Sequence, residues 1–222
     1  MMVIAAHPDD ELLGCGGSLA KWKKQGHDIK IIIAGEGHSS RDNVKNLKKK
    51  IIELKKQSVT ASKILGINKI INLGLPDNNF NKIDFLKFIK LIEKNIFNYK
   101  PEIILTHHYG DLNKDHRLLY EAVITACRPK PNFFVKKIMT FETLSSTDWQ
   151  INTNENIFKP NYYEDITDFL KLKIKSLETY KSEIEKWPHT RSLQNIENLA
   201  KLRGSSVGLK AAEAFEIIRQ IN

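Results

Sequence analysis

Near its start the chain reads Val3-Ile4-Ala5-Ala6-His7-Pro8-Asp9-Asp10-Glu11. A short apolar run stops at a proline and places a histidine and two adjacent carboxylates in the turn ahead of a helix. Imidazole and carboxylate groups together suit a divalent metal such as zinc. A second carboxylate beside them would be placed to take a proton from water. The alternative is a polar strand-to-helix loop in which Asp9 or Asp10 serves only as the helix N-cap.

Strand-like and helix-like segments alternate along the chain after this turn. The predicted strands are 2–6, 29–34, 69–73, 102–106 and 137–142, and the predicted helices between them are 11–25, 43–65, 85–99 and 115–126. Strands that alternate with helices of this length indicate right-handed βαβ units and a parallel sheet. The sequence therefore predicts an α/β fold, a Rossmann-like three-layer sandwich with a mostly parallel sheet.

The pattern weakens in the C-terminal third of the chain. Residues 145–161 are polar and loop-like, and helices are predicted over 167–187, 192–202 and 209–221. No linker, internal repeat or low-complexity segment indicates a second domain. We therefore expect these C-terminal helices to cap the same sheet, so that residues 1–222 form a single domain.

Composition restricts the class of protein. The chain has 222 residues, 41% of them hydrophobic, and no run approaches the roughly 18 consecutive apolar residues that a membrane helix needs. The N-terminal residues also lack the pattern of a secretory signal. Cys15 and Cys127 form neither a Cys-x-x-Cys unit nor a disulfide framework. These features predict a cytoplasmic protein with no membrane span and with reduced thiols.

The formal net charge of +9 raises the question of nucleic-acid binding. Many lysines, however, alternate with apolar residues over 45–56, as they do on the solvated face of an amphipathic helix. The sequence contains no zinc finger, helix-turn-helix signature or aromatic RNA-binding motif. We therefore expect no nucleic-acid partner. The positive charge instead favours an anionic small molecule, such as a phosphorylated or nucleotide-linked sugar.

Three polar segments follow predicted strands and should meet at one edge of the sheet, where ligands bind in open parallel sheets. They are 7–10, 77–78 and 106–117. A hydrolytic zinc site needs three protein ligands and one open position. His7 and Asp10 supply two candidates, and the third segment offers three more histidines. Those candidates are His107, His108 and His116. Their chemistry alone does not decide among the three.

Further motifs are spread along the chain. They are Gly14-Cys15-Gly16-Gly17, Gly110-Asp111-Leu112-Asn113-Lys114-Asp115-His116-Arg117, Trp187-Pro188-His189-Thr190-Arg191-Ser192 and Ala212-Glu213-Ala214-Phe215. With the N-terminal His-Pro-Asp-Asp-Glu segment, this set resembles the PIG-L/LmbE-like family of zinc-dependent de-N-acetylases. The resemblance implies that His7, Asp10 and His116 bind zinc, with iron(II) as an alternative metal. It also implies that Asp9 is the general base.

The resemblance implies a hydrolase that removes the acetyl group from an N-acetylated amino sugar or its conjugate. Relatives often assemble, so a homo-oligomer is an open expectation. Two other readings stay open at this point. One is a non-catalytic module that keeps the metal and binds a sugar or nucleotide, and the other is an esterase that uses the same machinery.

One position departs from the family pattern. Many members carry an oxyanion-polarising histidine three residues before the last zinc ligand, where this chain has Asn113. An asparagine amide donates a hydrogen bond but supplies no proton. Either Asn113 acts as that donor or another histidine takes over. The candidates for takeover are His107, His108 and His189, of which we favour His189.

Three further residues are expected to contact the substrate. Arg41 follows the second predicted strand and suits an anion or a sugar hydroxyl, and Asp77 follows the third. Asp115 precedes the third predicted zinc ligand, and the family resemblance implies that it orients a neighbour. The alternative for Asp115 is a role as the N-cap of its helix.

Overall fold

The computed structural model describes residues 1–38, 46–131, 133–151 and 153–222. The strands are β1 (Met2–Ala5), β2 (Lys30–Gly35), β3 (Lys69–Leu75), β4 (Ile103–His107), β5 (Lys137–Phe141), β6 (Tyr162–Asp165) and β7 (Ala212–Gln220). The helices are α1 (Asp10–Lys24), α2 (Leu47–Ile64), α3 (Phe85–Tyr99), α4 (Lys114–Ala126), α5 (Leu170–Leu177) and α6 (Leu193–Ser205). A short 3-10 helix, Phe80–Lys82, precedes α3.

All the strands belong to one sheet with the order β3-β2-β1-β4-β5-β7-β6. Neighbours from β3 to β5 are parallel, whereas β7 runs antiparallel to both β5 and β6. The strand order reverses between β1 and β4, because β2 and β3 extend the sheet to one side and β5 to the other. Such a reversal opens a crevice at the carboxyl ends of the two central strands.

Two cores sandwich the sheet, because successive side chains of a strand point to opposite faces. On one face Val3 and Leu105 pack with residues of α1, α2, α5 and α6, including Leu12, Leu19 and Leu54. On the other face Ile4 and Ile104 pack with residues of α3 and α4, including Phe88, Ile92 and Leu119. The three-layer α/β sandwich expected from the sequence is therefore confirmed.

The prediction of a helix over 209–221 is wrong, because that segment forms β7. Both glutamates of this strand are buried acceptors. Glu213 accepts the backbone N–H groups of Gly17 and Ser18 and pairs with Lys173. Glu216 lies 3.0 Å from the ring of His108. These partners come from distant segments, so local periodicity did not reveal them.

Two smaller expectations also need correction. The strand β6 went unrecognised, and within the predicted helix 167–187 only Leu170–Leu177 is α-helical. Beyond α5 the chain turns, and Tyr180 is buried with its hydroxyl donating to Glu11. The C-terminal part therefore caps the sheet with α5 and α6 but also extends it with two antiparallel strands.

Cys15 and Cys127 are both buried free thiols. Among the described residues, no helix has both the length and the apolar character required to cross a membrane.

Candidate metal centre

The candidate site lies where the sheet order reverses. His7 follows β1, and His116 lies in the first turn of α4, which follows β4. Strands β1 and β4 are paired, with Met2 opposite Ile104 and Val3 opposite Leu105. Two loops separated by about half of the chain therefore meet at the carboxyl edge of the sheet.

Three side chains from these loops form a compact donor triangle. Nδ1 of His7 lies 3.3 Å from Nε2 of His116 and 3.4 Å from Oδ2 of Asp10. Nε2 of His116 lies 3.2 Å from the same carboxylate oxygen. Tetrahedral ligands at about 2.0–2.1 Å from a zinc ion would lie about 3.3–3.4 Å from one another. The triangle therefore matches three ligand positions around one small cation.

The chemistry of the donors fits a cation as well. Oδ2 of Asp10, the oxygen of the triangle, also accepts the backbone N–H of His7 at 2.8 Å, whereas the second oxygen, Oδ1, is buried and has no hydrogen-bond partner among the described residues. Buried polar atoms normally find a partner, and a carboxylate oxygen that lacks one suits a metal. His7, Asp10 and His116 also form one of the groups whose ligand atoms all lie within 4.8 Å of one another. We therefore describe His7, Asp10 and His116 as the candidate metal centre.

Each imidazole of the triangle has carboxylates on its far side. Nε2 of His7 lies 3.0 Å from Oδ1 of Asp77 and 3.3 Å from Oδ2 of Asp115. Nδ1 of His116 lies 3.2 Å from Oδ2 of Asp111. A carboxylate that accepts one ring N–H leaves the other ring nitrogen as a free base, which is the form that binds metals. The hydrogen bond to Asp115 favours this form for His7, whereas Nδ1 of His116 meets Asp111 as an ion-pair contact without hydrogen-bond geometry.

The surroundings are strongly negative. Burial alone would lower the pKa of His7, but Asp10, Asp115 and Asp77 raise it well above its usual value. Burial also disfavours the charged form of His116, yet Asp10 and Asp111 raise its pKa to about 9. Carboxylates thus surround both imidazoles and favour positive charge between them. The same negative charges would stabilise a bound cation.

His107 lies beside the triangle but has other partners. Its Nε2 accepts the backbone N–H of Ala6 at 2.8 Å, and its Nδ1 lies 3.3 Å from Oγ1 of Thr143. Its ring stacks on His116 at 3.8 Å between centroids. Burial, followed by the neighbouring His116, lowers the pKa of His107 to about 3. His107 is therefore a neutral buried ring that supports His116.

The other two histidines considered for catalysis also have partners. Nδ1 of His108 lies 3.0 Å from Oε2 of Glu216, and its Nε2 lies 2.8 Å from the backbone oxygen of Asn156. Nδ1 of His189 accepts the backbone N–H of Arg191 at 3.1 Å. The ring of His189 packs edge-on against Trp149, with 5.5 Å between centroids.

Asp9 is held in an unusual conformation next to the triangle. Its φ of 104° lies in the left-handed region, which is strained for a residue with a side chain. Its backbone N–H donates to Oε2 of Glu11, and Nη1 of Arg191 donates to its Oδ2 at 3.1 Å. Burial raises the pKa of Asp9 well above its usual value, against the opposing charge of Arg191.

A polar cavity of about 120 Å³ opens over these groups. Its lining includes His7, Asp9, Asp77, Asn113 and Arg191. Asn113, rather than Asp115, is the N-cap of α4, because its side chain accepts the backbone N–H of Asp115 at 2.8 Å. The alternative role considered for Asp115 is therefore wrong. Asp115 instead accepts the backbone N–H of Phe80 through Oδ1 and contacts His7 through Oδ2.

A family model described as GlcNAc-PI de-N-acetylase (PIG-L) matches residues 2–127, which include every residue of the triangle. The chain belongs to the PIG-L family. It is 31% identical over 187 residues to an uncharacterized deacetylase, YaiS, of Escherichia coli (strain K12), covering 82% of this chain and 90% of YaiS. It is 25% identical over 236 residues to a diacetylchitobiose deacetylase of Thermococcus kodakarensis, covering 98% and 82% of the two chains.

Solved structures show the same fold in proteins of different activity. An N,N'-diacetylchitobiose deacetylase from Pyrococcus horikoshii superposes with a TM-score of 0.79 at 21% identity, covering 98% of this chain and 83% of the other. GalB, a 4-carboxy-2-hydroxymuconate hydratase from Pseudomonas putida KT2440, gives a TM-score of 0.79 at 17% identity, covering 100% and 96%. The PIG-L fold alone therefore does not determine the reaction.

In this PIG-L family member the structure brings the predicted metal ligands together beside Asp9, and it adds three residues that the sequence analysis did not single out. All three lie within segments that carry the family resemblance. Asp111 contacts His116, Glu11 accepts the backbone N–H of Asp9, and Arg191 pairs with the Asp9 carboxylate. Their position in those motifs was the available signal, but their contacts depend on the fold. The predicted substrate contact Arg41 lies outside the described residues.

Proposed function

We propose that this protein is a metal-dependent hydrolase that removes the N-acetyl group from an N-acetylated amino sugar or a conjugate of one. One observation carries the proposal: the buried carboxylate of Asp9 lines the same cavity as His7, beside the His7–Asp10–His116 triangle. The cavity therefore joins a cation site to a proton acceptor. The names of the similar proteins support the reaction, because all three describe deacetylases and two of them describe deacetylases of diacetylchitobiose.

In this proposal His7, Asp10 and His116 hold a divalent cation, for which zinc is the first choice and iron(II) the alternative. When bound, such a cation supplies a Lewis acid that activates water and polarises a carbonyl group. His7 is the member of the triangle that lines the cavity, so a cation held there would lie beside the space open to water and substrate.

Asp9 acts as the general base. It accepts a proton from water as the water oxygen forms a bond to the acetyl carbonyl carbon. The bond between that carbon and the amide nitrogen then breaks, and Asp9 returns the proton to the leaving nitrogen. The products are a free amine and acetate. Burial raises the pKa of the Asp9 carboxyl group, whereas the charge of Arg191 opposes this rise and favours the carboxylate form that accepts a proton.

Asn113 is the proposed hydrogen-bond donor to the carbonyl oxygen during attack. Its Oδ1 is occupied by the backbone N–H of Asp115, which leaves its amide NH₂ group for a ligand in the cavity that it lines. His189 stays a second candidate, although its Nδ1 accepts the N–H of Arg191. Asp77, which also lines the cavity, is proposed to contact a sugar hydroxyl in addition to orienting His7.

Several finer features of the proposal come from the sequence. The net charge of +9 favours an anionic conjugate, such as a phosphorylated or nucleotide-linked N-acetyl sugar. We infer that residues 1–222 act as one domain, because β7 and β1, from opposite ends of the chain, belong to one sheet. Assembly into a homo-oligomer and a cytoplasmic location stay predictions.

The test is an acetate-release screen with metal analysis. Purified protein is loaded with zinc or iron(II) and assayed on N-acetylglucosamine, N,N'-diacetylchitobiose, and phosphorylated and nucleotide-linked N-acetyl sugars. We expect equal amounts of acetate and free amine, and loss of both after chelation. Asp9→Asn should abolish most release, whereas Asp28→Asn, a matched change at an exposed ion pair with Lys69, should not.

Each alternative predicts a different result in the same screen. Undiminished release from chelated protein, or from Asp9→Asn, would contradict the mechanism. Acetate release from O-acetylated but not from N-acetylated sugars would identify an esterase. Saturable sugar binding without turnover by any metal-loaded sample would favour the non-catalytic module.

A further inference from the structure

Arg191 binds three side chains that come from separate parts of the chain. Its Nη1 donates to Oδ2 of Asp9 at 3.1 Å, and the same nitrogen lies 3.4 Å from Oε2 of Glu183. Its Nε donates to Oγ of Ser145 at 2.6 Å. The side chain of Arg191 is 21% exposed, whereas that of Asp9 is 2% exposed. The guanidinium thus reaches from the cavity wall to a buried carboxylate.

Two of these partners share an unusual backbone conformation. Asp9 has φ of 104° and Ser145 has φ of 65°, so both lie in the left-handed region that disfavours residues with side chains. Strain of this kind persists only where surrounding contacts impose it, and it clusters at functional sites. One guanidinium group ties both residues together, which places the turn after β1 and the turn at Ser145 in a fixed relation.

Different contacts hold the backbone and the side chain of Asp9. The backbone N–H of Asp9 donates to Glu11, and its backbone oxygen accepts the N–H groups of Leu12 and Leu13. These bonds fix the main chain of Asp9 but not the rotamer of its carboxylate. The described contact that acts on the carboxylate through a hydrogen bond is the one from Arg191, and it engages only Oδ2.

We propose that Arg191 is a positioning residue that holds one oxygen of the Asp9 carboxylate so that the other oxygen faces the reacting water. This inference rests on the proposed function, because it gives Arg191 the role of positioning the general base, Asp9. The planar fork of arginine binds Asp9 and Ser145 through different nitrogens at fixed geometry. A lysine ammonium, as a single point charge, would reproduce the charge but not the pair of hydrogen bonds to Asp9 and Ser145.

The competing role for Arg191 is direct binding of an anionic substrate, since Arg191 lines the cavity. The two roles differ in kinetics. A residue that acts through Asp9 changes kcat and loses its effect when Asp9 is gone. A substrate anchor changes KM whether or not Asp9 is present.

The test is a double-mutant cycle of Arg191→Met and Asp9→Asn, measured as kcat and KM for acetate release by metal-loaded protein. We expect Arg191→Met to lower kcat by about 10- to 100-fold, a part of the effect of a general base, with KM changed less than about twofold. In the Asp9→Asn background the same substitution should change kcat by less than about twofold. Arg191→Lys should fall between Arg191→Met and the unsubstituted protein.

The control is Arg203→Met, which removes a comparable two-bonded ion pair with Glu142 on a side chain that is 25% exposed. It should leave kcat and KM unchanged. Metal content and melting temperature are measured for every variant, so that a folding defect is separated from a kinetic one. Arg191→Met should keep one metal per chain, because within the described residues the side chain of Arg191 binds Asp9, Ser145 and Glu183 and none of the triangle residues.

The outcomes separate the two proposals. If the unsubstituted protein releases no acetate, the proposed function fails and the role of Arg191 fails with it. If the protein is active but Arg191→Met is as active, or raises KM equally in both backgrounds, only the role of Arg191 is overturned. If Arg191→Met does not fold, the kcat of Arg191→Lys decides: a value equal to that of the unsubstituted protein overturns the inference.

Discussion

Nδ1 of His116 lies 3.2 Å from Oδ2 of Asp111, on the side of the ring opposite Asp10. The hydroxyls of Ser146 and Thr147 both donate to Asp111 and keep its carboxylate in place. Burial would raise the pKa of Asp111, but the charge of His116 and the hydrogen bond from Ser146 hold it well below its usual range. An ionised Asp111 therefore acts on His116 through its charge, which supports Nε2 of that ring as a metal ligand.

Substitution Asp111→Asn should weaken metal binding without removing a ligand. Loss of a carboxylate behind a metal-bound histidine typically costs about 10- to 100-fold in affinity. Competition of zinc between the protein and a chelating indicator measures this change. Asp28→Asn, at an exposed ion pair, is the control and should bind zinc as the unsubstituted protein does. Equal affinity for Asp111→Asn would show that Asp111 does not support the centre.

Zinc should raise the melting temperature, because a ligand that binds only the folded state stabilises that state. At a free zinc concentration of 100 times Kd the gain is about 2.7 kcal/mol. Differential scanning calorimetry of chelated and zinc-loaded protein measures it. The gain should vanish in His116→Gln and persist in His27→Gln, a change at an exposed histidine. A zinc-dependent shift that survives in His116→Gln would place the metal elsewhere.

Tyr180→Phe should destabilise the fold. The hydroxyl of Tyr180 donates to Oε1 of Glu11 at 2.6 Å, and both residues are buried. Removing the hydroxyl leaves a buried carboxylate oxygen short of a donor, which costs about 1–3 kcal/mol. Urea unfolding measures the loss. Tyr162→Phe, which removes a hydroxyl that bonds Glu164 at a half-buried position, should cost less. Equal losses would argue against burial as the cause.

Glu216 should make stability depend on pH in the acid range. Burial raises its pKa, but hydrogen bonds from His108 and from the backbone N–H of Lys159 outweigh burial and lower the pKa below the ordinary 4.5. A lowered pKa in the folded state means that Glu216 stabilises the fold above pH 4.5. That contribution is lost as the pH falls through the folded-state value.

Glu216→Gln should therefore lose less stability between pH 7 and pH 4 than the unsubstituted protein does. The free energy of unfolding in urea at the two pH values measures the difference. Glu197→Gln, at an exposed pair with Lys201, is the control and should behave as the unsubstituted protein. If Glu216→Gln and the unsubstituted protein lose the same amount, the contacts of Glu216 do not shift its titration.

The sequence predicted the elements whose patterns are local. The buried β-branched run of β2 and the amphipathic pattern of α3 gave their type, and the strand-to-helix turn at His7 gave the location of the site. The segment of β7 misled because its two glutamates are satisfied by distant partners, Lys173 and His108. A periodicity argument treats such glutamates as solvent-exposed, and only the tertiary structure shows otherwise.

The candidate site, like the fold, was predictable from the sequence only where the signal is local. The choice of His116 over His107 needed either the family resemblance or the fold, because His107 ends β4 and His116 follows it within ten residues. The structure separates them, since Nε2 of His107 accepts the N–H of Ala6 whereas that of His116 faces Asp10. Arg191 lies 182 residues from Asp9 in the chain, so nothing local to either residue indicates their contact.

The measurement that tests the central claim most directly is anomalous diffraction at the zinc edge from crystals of zinc-loaded protein. We predict one strong peak at about 2.0–2.2 Å from Nδ1 of His7, Oδ2 of Asp10 and Nε2 of His116. A peak beside His107 and Asp111 instead, or no peak at the triangle at full zinc loading, would contradict the account.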